Sequence, residues 1–231
     1  MILTDEAAER RLSPAAVEDI IARHTAVGRE LRAAGKWIDA GRLRFSDEAV
    51  TVRRSDESYV VVDGPFAETR ETLGGFYLIE AASKDEAIGW AKMLPLREAG
   101  AIEVRPARSG ATWRGETRGA QRYLLLLVGD TGKPQTREDV LRAIEGHYEL
   151  SLDMVVRGRF AASRALEPIS AATTLRWREG THVVTDGPFV ESREFLAGYF
   201  VIACDSRDEA IAWAKPLLSG NTACEVRRIW E

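Results

Sequence analysis

Residues 63–92 read DGPFAETRETLGGFYLIEAASKDEAIGWAK, and residues 186–215 read DGPFVESREFLAGYFVIACDSRDEAIAWAK. Eighteen of these thirty positions are identical at a constant offset of 123. The offset runs upstream without a gap: His24 matches His147, and Gly35 matches Gly158. Downstream it slips by one, so EVRP at 103–106 matches EVRR at 225–228. A repeat fixes the architecture before any other signal is weighed. The 231 residues therefore divide into a first domain at 1–107, a linker at 108–120 and a second domain at 121–231. The linker, RSGATWRGETRGA, is rich in the residues of loops.

Each copy has the same order of elements. The second opens on Tyr123–Val128, a continuous apolar run bounded by Gly129-Asp130, the pattern of a buried strand. In the first copy only Met1-Ile2-Leu3 correspond to it. A helix follows, with Ser13-Pro14 as cap and first residue and an apolar stripe through Val17, Ile20, Ile21, His24, Val27 and Leu31 up to Gly35. The second copy repeats it from Thr136 to Gly158. Then come a strand, a hairpin (50–53 with 59–62, and 173–178 with 181–185) and the quoted segment. Ser83 and Ser206, each followed three residues later by glutamate, predict capping boxes for a second helix. EVR closes the copy as a last strand. The order β-α-β-β-α-β with an extra hairpin is the ferredoxin-like plan. One face of such a sheet needs cover. Two copies packed sheet to sheet, as an intramolecular pseudo-dimer, would supply it.

Composition narrows function. The net charge is −4, with 32 Lys+Arg against 36 Asp+Glu. Neither half is basic, so no electrostatic footprint for nucleic acid exists. No apolar run is long enough to span a membrane. The first residues, MILTDEAAERR, lack the apolar core of a signal peptide. The expectation is a cytoplasmic location. Cys204 and Cys224 fall on the third and fourth strands of one copy. In ferredoxin-like order the first strand separates these, so the two thiols are expected to be reduced and unpaired. The three histidines are scattered, and no metal-ligand spacing occurs. No phosphate-loop or dinucleotide fingerprint occurs either, so no metal and no cofactor are expected.

The motif DGPF-x-E-[TS]-R-E-x-L-x-G, then DEAIxWA and EVR, resembles the YCII-related, or DGPF-domain, family. The resemblance covers both copies. It implies a dimeric α+β barrel, formed here within one chain, with a small-molecule cavity. It also implies a histidine–aspartate pair, and some relatives act as lyases or isomerases on aromatic-derived acids. Carried onto this sequence, the histidines are His24 and His147 and the aspartates are Asp63 and Asp186. A histidine suits proton shuttling because its ordinary pKa lies near 6.5. An aspartate beside it would orient the ring. The competing reading makes the histidines hydrogen-bonded core groups and the aspartates turn formers. Arg70 and Arg193 are candidates for holding a substrate carboxylate, or else surface ion pairs. Two functions stay open: a cofactor-free lyase or isomerase acting on a small organic acid, and a small-ligand-binding or accessory module without chemistry. A further dimer of whole chains is compatible with either.

Overall fold

A computed structural model describes residues 1–55, 58–66, 71–97, 100–132, 136–189, 192–219 and 222–230. The first repeat contains β1 (Ile2–Thr4), α1 (Glu6–Glu9), α2 (Pro14–Ala33), β2 (Trp37–Arg42), β3 (Val50–Ser55), β4 (Ser58–Asp63), β5 (Thr72–Ile79), α3 (Lys84–Met93), β6 (Ala101–Val104) and β7 (Ala107–Thr112). The second contains β8 (Gln121–Asp130), α4 (Arg137–Val156), β9 (Phe160–Leu166), β10 (Thr173–Arg178), β11 (Thr181–Asp186), β12 (Glu194–Cys204), α5 (Arg207–Ala214) and β13 (Ala223–Arg228).

The helix starts follow their capping residues. Ser13 accepts from the Ala16 amide, and Thr136 forms a reciprocal capping box with Asp139. Ser83 and Ser206 accept from the Glu86 and Glu209 amides. The glutamates reach one residue further back than a capping box requires, to the amides of Ala82 and Asp205.

All strand pairs are antiparallel, in sheets ordered β11-β10-β6-β1-β5-β2 and β4-β3-β13-β8-β12-β9-β7. Within each, four strands of one repeat keep the 4-1-3-2 order of the ferredoxin-like plan. The neighbour on the fourth strand comes from the other repeat. Leu175 of β10 pairs with Ile102 of β6, and Val52 of β3 pairs with Cys224 of β13. The repeats have therefore exchanged hairpins. The compact units are discontinuous: Met1–Arg42, Thr69–Pro106 and Pro168–Val190 form unit 1, and Leu43–Glu68, Ala107–Glu167 and Glu191–Glu231 form unit 2. The boundaries at 107 and 121 mark the duplication, not the packing. Because the two repeats are near duplicates, either outer strand accepts either hairpin, and sequence pattern does not distinguish them.

The segment expected as linker also differs. Its first residues form β7 against β9, where an unpaired edge would otherwise stand. Gly110 has φ 153°, and a Cβ there would lie 2.0 Å from the Ser163 carbonyl oxygen, so only glycine lets the strands approach.

Unit 1 packs Val27 and Leu31 of α2 with Ala91, Leu94, Ile102 and the exchanged Leu175. Unit 2 packs Met154 of α4 with Leu125, Phe160, Ile202, Ala214 and the exchanged Val50 and Val52. Cys204 and Cys224 are free and buried, with β8 between their strands. No described helix is long and apolar enough to cross a membrane.

Candidate functional site

The DGPF turn is held by the same set of bonds in both units. In unit 2, Gly64 donates to the Ala49 carbonyl, Thr51 donates to the Gly64 carbonyl, and Phe66 donates its amide to Glu225 at 2.9 Å. Arg53 reaches the Phe66 carbonyl and grips Glu194 through two bonds of 2.6 and 3.2 Å. In unit 1 the equivalents are Gly187 to Ala172, Thr174 to Gly187, Phe189 to Glu103, and Arg176 to Phe189 and Glu71. Gly64 and Gly187 have φ of 108° and 109°, a region that favours glycine. Glu225 and Arg227 form a buried ion pair at 3.0 Å, as do Glu103 and Arg105. DGPF of one repeat is thus latched by the EVR glutamate of the other. This gives two of the repeated motifs a structural reason.

The aspartates of that turn face outward. Asp63 lies 3.5 Å from Arg207, and Asp186 bonds to Lys84 at 3.2 Å and to Thr173 at 3.1 Å. Both carboxylates are more than four-fifths exposed. The exchange puts Asp186 in the unit of His24 and Asp63 in the unit of His147. Among the described residues neither unit contains a direct histidine–aspartate hydrogen bond. Arg193 is exposed and pairs with Asp130 at 2.7 Å. Arg70 lies outside the described residues. His182 sits edge-on to Trp177 across the β10–β11 hairpin.

The histidines are half-buried on α2 and α4, and their surroundings differ. The Nε2–H of His147 donates to the Leu217 carbonyl at 3.1 Å, which fixes the tautomer. Its ring meets Phe200 edge to face. Burial lowers its pKa. His24 instead has Nδ1 3.0 Å from the Tyr77 hydroxyl, which also lies 3.4 Å from the His24 carbonyl. The single hydroxyl proton has two acceptors. Given to the carbonyl, it leaves Nδ1–H to donate to the oxygen and a lone pair on Nε2. Given to Nδ1, it leaves the proton on Nε2. The pair can therefore present Nε2 as hydrogen-bond acceptor or as donor.

Electrostatics keep that ring neutral. Burial, then Arg42 and Arg23, push the His24 pKa down to about 4. Burial pushes Tyr77 up to about 12. Glu9 on α1 is raised by burial and drawn back by Arg42. Arg42 thus acts on both His24 and Glu9. The buried Thr72 hydroxyl has no hydrogen-bond partner among the described residues.

Strand register aligns this cluster with the second repeat. Thr4 faces Thr72 where Gly129 faces Phe195, and Arg42 faces Gly75 where Ala165 faces Gly198. Tyr77 stands where the second repeat has Phe200. A Cβ on Gly129 would lie 2.6 Å from the Phe195 ring, so the aromatic side chain covers that position. Four positions that are polar in unit 1 are apolar or bare in unit 2. The histidine alone is common to both. Tyr77, Arg42 and Glu9 were not singled out from sequence. The signal that marks Tyr77 was the mismatch of FYLIEA with YFVIAC inside an otherwise matching segment.

The family model for the YCII-related domain matches residues 1–109 and again 123–231. The chain belongs to the YCII-related family. It is also 41% identical over 104 residues to the uncharacterized protein R00369 of Rhizobium meliloti (strain 1021). That match covers 44% of this chain and 84% of the relative. It has the length of one YCII repeat.

Proposed function

We propose that the YCII repeats of this protein divide the work, with unit 1 binding a small organic acid and unit 2 serving as scaffold. The observation that carries this is the His24–Tyr77 hydrogen bond, which the second repeat replaces by His147 bonded to backbone and packed on Phe200. Arg42 is the cation for the carboxylate, since a guanidinium is suited to charge-assisted pairing. Neutral His24 then takes a proton from the carbon beside that carboxylate at Nε2, and returns it in an isomerase or loses it to the leaving group in a lyase. The lowered pKa keeps the ring neutral at working pH and also makes Nε2 a weaker base than an ordinary histidine, so positioning beside Arg42 has to supply much of any rate. No cofactor enters this scheme. The dimeric α+β barrel implied by the family belongs to the same proposal. It is supported by two ferredoxin-like sheets, each completed by a hairpin of the other repeat.

A ligand-binding role without chemistry is the second reading. It is favoured by the exposed salt bridges of Asp63 and Asp186 and by His24 being hydrogen-bonded to Tyr77 rather than to a carboxylate among the described residues.

Calorimetric titration with benzoate and with pyruvate tests the shared part. One equivalent of at least one of these acids is expected to bind per chain. Arg42→Gln should weaken it by about 10- to 100-fold, the range for a lost hydrogen bond to a charged group. Tyr77→Phe, which copies Phe200, should weaken it by about 2- to 10-fold. His147→Gln should leave it unchanged. Absence of binding in the wild type, or an equal loss in His147→Gln, contradicts the proposal.

A further inference from the structure

β4 ends the seven-stranded sheet, and among the described residues no strand pairs with its outer side. All of its residues, Ser58 to Asp63, are exposed, and Tyr59, Val60, Val61 and Val62 are between 41% and 52% exposed. A sheet edge is a row of unpaired amides and carbonyls, which proteins ordinarily guard with charge, proline or a bulge. Two other edge strands have such guards. β2 carries a bulge with Asp39 and Arg42, and β7 carries a bulge with Arg108. β4 pairs with β3 without a register shift, and residues 58–62 include no charge and no proline. The ladder shows which groups point outward. Gly64 donates to the Ala49 carbonyl, so in this register Thr51 with Val62, Arg53 with Val60 and Ser55 with Ser58 are the hydrogen-bonded pairs. The amides and carbonyls of Tyr59, Val61 and Asp63 therefore face away from β3.

We infer that β4 is the joining strand of a dimer, paired antiparallel with β4 of a second copy of this chain about a two-fold axis at Val61. That axis sets Val61 against Val61, and Tyr59 against Asp63 of the other copy. It gives all three outward residues a partner within β4, whereas an axis at Val60 or Val62 engages only two of them. A two-fold contact is closed, so pairing uses up the edge instead of extending it. Side chains agree on both faces. Tyr59, Val61 and Asp63 alternate onto the face where Lys215 lies 6.0 Å from the Tyr59 ring and Arg207 lies 3.5 Å from Asp63. Setting Tyr59 against Asp63 brings the carboxylate of each copy toward the Lys215 ammonium of the other. Charge is thus complementary at both ends of the ladder, and its centre is apolar. On the opposite face Val60 stands against Val62 of the other copy, so four exposed valines cover one another. Asp56 and Glu57 precede the strand, outside the described residues and past the last pair of this register. β11, the matching strand of the other hairpin, is a poorer candidate. Its exposed large apolar groups are Val183 and Val184, and its Asp186 is bonded to Lys84 and Thr173.

Sedimentation equilibrium on the full chain between about 1 and 100 µM tests the inference. The wild type is expected to be dimeric at the upper end. Val61→Pro removes an outward amide and leaves the β3 ladder whole, a change that an edge strand accepts. It should raise the dissociation constant at least about 10-fold, with far-UV circular dichroism unchanged. Val184→Pro, the same change on β11, should leave the dimer intact. Should Val61→Pro misfold, hydrogen exchange of the wild type gives a second reading. With intrinsic rates divided out, the amides of Tyr59, Val61 and Asp63 should exchange at least about 10-fold more slowly than those of His182, Val184 and Asp186. A wild type that is monomeric throughout, or that forms larger species in place of a dimer, overturns the inference. So does a folded Val61→Pro protein as dimeric as the wild type, an equal weakening by Val184→Pro, or β4 amides that exchange as fast as those of β11.

Discussion

Glu225→Ala is expected to lower the stability of unit 2 by about 3–5 kcal/mol, the cost of removing the carboxylate from a buried ion pair. The partner is Arg227, 1% exposed and 3.0 Å away. The same substitution also strips the Phe66 amide of its acceptor and frees the DGPF turn. Urea unfolding followed by tryptophan fluorescence measures it. Glu225→Gln should recover part of the loss, since a side-chain carbonyl still accepts from Phe66 while Arg227 loses its carboxylate and keeps its bonds to the Arg44 carbonyl. A loss under about 1 kcal/mol would mean that this network is solvated like a surface pair.

Leu175→Ala is expected to cost about 2–5 kcal/mol, as a large-to-small change at a site with 0% exposure. The location of the damage matters more than its size. Leu175 belongs to the second repeat, but its neighbours Val27, Leu31, Ala91 and Leu94 belong to α2, α3 and the residue that follows α3 in the first. Amide hydrogen exchange should therefore quicken in α2 and α3 and stay slow in α4 and α5. Faster exchange in α4 and α5 instead would mean that the hairpin packs on its own repeat.

Much of each unit was legible because local rules act there without competition. Ser13, Ser83, Thr136 and Ser206 cap the helices predicted from them, and Tyr123–Val128 is a buried strand. The separation of Cys204 from Cys224 followed from strand order alone. The hairpin exchange was not legible, because residues 50–62 and 173–185 present nearly the same edge to nearly the same outer strand. β7 was hidden by composition: glycine and serine mark a loop, yet Gly110 is there to let a strand pass close to Ser163. In the site, the duplicated histidines drew the eye to what the repeats share. The difference between them lies in Tyr77 against Phe200 and Arg42 against Ala165, which act on His24, and in Thr72 against Phe195 on the same strand as Tyr77, substitutions that stand out only once strand register aligns the repeats.

The division of labour between the repeats is the central claim, and the chain's three histidines allow it to be measured directly. Imidazole resonances assigned with His24→Gln, His147→Gln and His182→Gln would be followed in a nitrogen-15 correlation spectrum during titration with benzoate and with pyruvate. The account predicts that His24 remains neutral down to about pH 4 in the free protein. It also predicts that His24 alone shifts on adding whichever acid binds, with His147 held in its Nε2–H tautomer throughout. Shifts at His147 equal to those at His24, or a His24 ring that protonates at its ordinary value near 6.5 and ignores both acids, would contradict it.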